Sequence, residues 1–67
     1  MVSMPLDRVA LPDGPLASSS DAATCSVHAG VVRITARAGA RPAGSHVDVE
    51  CSHPGLAMEW EATLSFE

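Results

Sequence analysis

The chain has 67 residues, 46% of them hydrophobic but with one Phe, one Trp and no Tyr, and its eight acids against four arginines give a formal net charge of −4. A chain of this size forms one domain at most and removes only about 60% of its unfolded surface from water, so added stability is expected from a disulfide, a metal or a partner. The acidic balance argues against direct nucleic-acid binding, which needs a basic patch, and no segment approaches the roughly 20 apolar residues of a membrane span.

In chain order, residues 1–21 read as an irregular Pro- and Ser-rich arm. Pro5, Pro12 and Pro15 each remove a backbone donor and bias the preceding residue toward extended conformations, which disfavours a helix. A short strand over residues 7–11 would place Val9 and Leu11 on one side and Arg8 on the other. Asp13-Gly14 is a turn signal, and Ser18, Ser19, Ser20 and Asp21 read as a solvated loop. The first ten residues show neither a positive n-region nor an apolar h-region, so a cytoplasmic location is expected.

Residues 22–67 read as a single β domain with strands near 24–29, 31–38, 46–52 and 56–66. Around Ala29-Gly30, pairing His28 with Val31 brings Val27 opposite Val32, Cys25 opposite Ile34 and Ser26 opposite Arg33. Gly30 suits a tight hairpin, whereas Ala29 fits a type I′ turn badly, which leaves a three-residue loop as an equal expectation. The third strand sends Val47, Val49 and Cys51 inward and His46, Asp48, Glu50 and Ser52 outward. Pro54-Gly55 then suits the centre of a type II turn.

Leu56, Met58, Trp60, Ala62, Leu64 and Phe66 fall on alternate positions, with Glu59, Glu61, Thr63, Ser65 and Glu67 among the residues between them. This is the period of a strand with one apolar face. Pairing His53 with Leu56 sets Cys51 against Met58, Val49 against Trp60 and Val47 against Ala62. The same register places Glu50 beside Glu59 and Asp48 beside Glu61, and like charges directly opposite are destabilising.

Asp48, Glu50, Glu59 and Glu61 therefore make the first candidate site. Arg33 and Arg37 on a neighbouring strand would neutralise them in the ordinary reading; a docking surface for a basic partner is the functional one. Calcium is a third option, against which stands the flatness of a sheet face. Cys25, His28, Cys51 and His53 form a second constellation, open to buried free thiols, to a Cys25–Cys51 disulfide or to zinc. Buried thiols are the commonest fate of such residues, and in an extended strand Cys25 and His28 point to opposite faces. No nucleophile-and-base spacing assigns a catalytic residue, and no cofactor is implied.

The inward residues make one apolar face with no amphipathic helix to cover it, so an all-β antiparallel meander of three or four strands is expected. Its cover would be the N-terminal arm or a second subunit, in a sandwich or barrel completed by dimerisation. Trp60, Met58, Leu64 and Phe66 would form the interface or core. The functional expectation is a small acidic protein-interaction module, an accessory subunit or inhibitor, binding a basic partner surface without direct contact to nucleic acid or membrane. The alternative is a small enzyme or ligand-binding barrel whose pocket lies at a homodimer interface around Trp60 and Met58.

Overall fold

The computed structural model describes residues 3–66; Met1 and Val2 of the expected arm, and Glu67 at the end of the terminal alternation, lie outside them. Six strands follow in order: β1 (Ser3–Arg8), β2 (Gly14–Ser18), β3 (Ala23–His28), β4 (Val31–Ala36), β5 (His46–Ser52) and β6 (Glu59–Ser65). They form one antiparallel sheet in the order β1-β4-β3-β2-β5-β6.

The β3–β4 hairpin has the register expected from its sequence, from Ala23 opposite Ala36 to His28 opposite Val31. Its turn is the two-residue form, with φ of 51° at Ala29 and 75° at Gly30, the paired positive values of a type I′ turn. The Ala29 N–H donates to Asp13 Oδ1 at 2.9 Å, which helps hold the alanine there.

The β5–β6 hairpin corrects the expected register by two residues: Cys51 lies opposite Trp60, Val49 opposite Ala62 and Val47 opposite Leu64. A turn does form over Pro54-Gly55, where the Leu56 N–H donates to the His53 carbonyl, but Gly55 lacks the positive φ of type II. Unprimed turns twist against the flanking strands. The loop widens accordingly, closing where the His53 N–H meets the Met58 carbonyl at 3.2 Å, and β6 starts at Glu59 rather than Leu56. A shift of two preserves parity, so Trp60, Ala62 and Leu64 still face inward. Leu56 and Met58, expected in the core, are instead 50% and 38% exposed.

The expected irregular arm supplies two strands, and the expected short strand over residues 7–11 lies earlier, at Ser3–Arg8. Both prolines involved occupy positions that cost no ladder bond. On β4, Val31, Arg33 and Thr35 hydrogen-bond toward β3, so Ile34 bonds Met4 and leaves Pro5 facing the sheet edge. Pro15 sits opposite Ser26, whose polar groups point to β4, and lies before the Ala17 and Ser18 positions that pair with β5.

A three- or four-strand meander would have set β4 beside β5. Instead β2 stands between β3 and β5, and β1 flanks β4 on the other side. The sheet curls until its edge strands approach, with Trp60 Nε1 donating to Asp7 Oδ2 at 3.3 Å. The result is a nearly closed barrel around Ala23, Cys25, Ile34, Ala36, Val49, Cys51 and Leu64, against which Met4, Leu6, Leu16 and Trp60 pack. Strands β1 and β2, both from the N-terminal arm, thus cover apolar surface for which that arm or a second subunit was expected. Among the described residues no helix is long and apolar enough to cross a membrane.

Cys25 and Cys51 are joined in a disulfide with Cα atoms 5.9 Å apart, which corrects the expectation of free thiols. The sequence reading lacked the strand order: β3 and β5 sit either side of the short β2, which brings two core-facing cysteines within bridging distance.

Candidate functional site

The β5–β6 hairpin carries all four candidate carboxylates on its outer face, and all four residues are exposed. Inward apolar residues at every second position fix their direction, because a strand that buries Val49 and Cys51 must turn Asp48 and Glu50 outward. The observed register rearranges them. Glu50 is directly opposite Glu61, Asp48 is opposite Thr63, and Glu59 is opposite Ser52. Thr63 Oγ1 donates to Asp48 Oδ1 at 2.7 Å, so the slip removes both expected like-charge pairs and gives Asp48 a hydrogen bond. It creates one new like-charge pair, Glu50–Glu61.

Ser19 completes this surface from the end of β2. Its Oγ accepts the Glu50 N–H at 2.8 Å, and its own N–H donates to the Glu50 carbonyl at 2.9 Å. Together Ser19, Asp48, Glu50, Glu61 and Thr63 border a shallow, open cleft of about 420 Å³. Sequence reasoning placed Ser19 in a solvated loop; its neighbourhood depends on β2 pairing with β5, for which no local signal exists.

The arginines expected to neutralise the acids lie elsewhere. Arg33 is on β4, separated from β5 by β3 and β2, beside Pro5, Asp7 and Val31, and Arg37 follows the end of β4. Among the described residues the ion pairs are His28 Nδ1–Asp13 Oδ2 at 3.6 Å and Arg41–Asp21 at 3.9 Å, and neither touches the β5–β6 carboxylates.

The zinc set is dispersed. Both cysteine sulfurs are consumed in the disulfide, His28 is exposed beside Asp13, and His53 Nδ1 accepts the Gly55 N–H at 3.0 Å. No cluster of three or more His, Cys, Asp or Glu suited to a metal occurs among the described residues. Trp60 is half-buried at the barrel's seam, Leu64 is buried and Phe66 packs against the core, while Met58 lies in the loop outside β6. Comparison of the chain with models of known families, with curated proteins and with solved structures finds no match.

Proposed function

We propose that the chain is a small acidic protein-interaction module, an accessory subunit or inhibitor, that meets a basic partner surface through Asp48, Glu50, Glu59 and Glu61. The observation that carries this reading is the Glu50–Glu61 pair: two exposed carboxylates set directly opposite each other, neither of them in an ion pair among the described residues. Like charges so placed cost about 0.2–1 kcal/mol of stability, and a cationic partner offsets that cost on binding while steering the encounter. A slightly concave acidic face on a rigid hairpin provides charge and shape together but no enclosed site in which a catalytic group could be desolvated.

The cysteines bear on location. A cytoplasmic setting was expected with thiols; the buried disulfide favours an oxidising compartment.

The test uses poly-L-lysine as a defined cation, with binding followed at low and moderate salt. The Glu59→Lys/Glu61→Lys protein should lose that binding, whereas its stability should stay level or rise by about 0.2–1 kcal/mol as the Glu50–Glu61 repulsion disappears. Undiminished capture of the polycation by this variant removes the acidic-face reading.

A further inference from the structure

The two edges of the sheet are not equivalent. At β1, Pro5 has no N–H to offer, the ladder slips between Pro5 and Asp7, and Asp7 and Arg8 bring charge of both signs. Proline, a bulge and charges are the devices by which edges are closed to further pairing. Strand β6 has neither proline nor bulge, and it keeps unbroken register with β5 from Glu59 to Ser65. Its backbone polarity can be assigned. The bonds His53 N–H to Met58 O and Phe66 N–H to Ser45 O bracket the ladder, so Trp60, Ala62 and Leu64 spend their polar groups on β5. The N–H and C=O groups of Glu59, Glu61, Thr63 and Ser65 therefore point away from β5. No backbone ladder joins β6 to β1 among the described residues; the two strands meet through the Trp60–Asp7 side-chain bond.

We propose that this free edge of β6 accepts an extended, basic segment of the partner as an added antiparallel strand. The inference rests on the acidic-face reading above and specifies its partner. In such a pairing the residues hydrogen-bonded to Glu59 and Glu61 stand directly opposite them, on the same outer face and two positions apart in the incoming strand. Their side chains meet the two exposed carboxylates, so the fitting chemistry is lysine or arginine at alternate positions. The residues between them turn inward over Trp60 and Ala62, where small or β-branched apolar side chains fit. Backbone bonds supply affinity and the alternating charges supply register, the division of labour usual in strand addition. A second copy of the chain fits less well, because it would bring a net charge of −4 to an edge that already carries two glutamates. Entry of the segment parts Trp60 from Asp7, whose hydrogen bond links the two edges.

The experiment compares three capped peptides of alternating lysine and valine, with the intact protein held at low salt: one unmodified, one with N-methyl groups on the lysine amides, one with them on the valine amides. Lysines set opposite Glu59 and Glu61 aim their N–H groups at β6, whereas valine N–H groups aim away. Methylated lysine amides should therefore weaken binding about tenfold or more, and methylated valine amides should leave it nearly unchanged. Equal affinity for the two methylated peptides overturns strand addition yet leaves an acidic face that recognises charge alone. Absence of binding by all three overturns both proposals.

Discussion

Ala29 holds a conformation that its side chain resists. A φ of 51° lies in the left-handed region, where the Cβ of an L-residue approaches the following carbonyl at a cost of about 1–2 kcal/mol. The hairpin imposes it, because His28 and Val31 are locked in register and Asp13 Oδ1 accepts the Ala29 N–H. Ala29→Gly should therefore raise stability by about 1 kcal/mol, part of the relief being offset by the greater freedom of glycine in the unfolded chain. In a domain of this size that moves the thermal midpoint up by about 4–8 °C. Urea unfolding with an unchanged slope and a higher midpoint is the expected record, and a lower midpoint would show that the alanine is not strained. At the neighbouring Gly30, φ is 75°, so Gly30→Ala introduces the strain that Ala29→Gly removes.

At the scale of elements, the shortest ladder is between β2 and β5, paired at Ala17–Ser52 and Ser18–Cys51 and extended by the Ser19–Glu50 hydrogen bonds, whereas β5 and β6 stay in register along their whole length. The disulfide spans this shortest ladder. Cys25 lies opposite Leu16 and Cys51 opposite Ser18, so the bridge runs from β3 to β5 past β2 and ties the β5–β6 hairpin to the other four strands. Cross-linking residues 26 apart in sequence removes unfolded-state entropy worth about 3–4 kcal/mol, a large share for so short a chain. Cys25→Ala/Cys51→Ala should lose about that much. Hydrogen exchange should then quicken first at the Glu50 and Ser52 amides, which face β2, ahead of those between β3 and β4. Loss spread evenly over all strands would argue against the β2–β5 ladder opening first. Both hairpins were legible in the sequence, because a turn signal and a period of two are local, and even the misplaced β5–β6 register kept every strand residue on its correct face. The disulfide was not legible as more than one option of three, since it depends on which strands are neighbours.

The whole molecule shows why that ordering stays hidden in a single sequence. Nothing in Ser3–Arg8 states that it will cross to the far side of β4, and Pro5 and Pro15 read as obstacles until it is known that their missing donors fall where no partner strand stands. The acidic face was readable residue by residue, but the separation of Arg33 and Arg37 from β5 depends on β3 and β2 intervening. Closure is the corresponding global property, and it hangs on Trp60 Nε1 and Asp7 Oδ2, from residues 53 apart in sequence. Trp60→Phe retains an apolar ring and removes the donor; Asp7→Ala removes the acceptor. Each should destabilise, the hydrogen bond itself contributing about 0.5–1.5 kcal/mol. Either change also alters packing or local charge, so the informative quantity is the coupling between them in a double-mutant cycle. If the two edges are held together by this bond, the double variant should be less destabilised than the sum of the singles by about 0.5–1 kcal/mol. Strict additivity would mean that β1 and β6 stand apart in solution and that the barrel is an open sheet on that side.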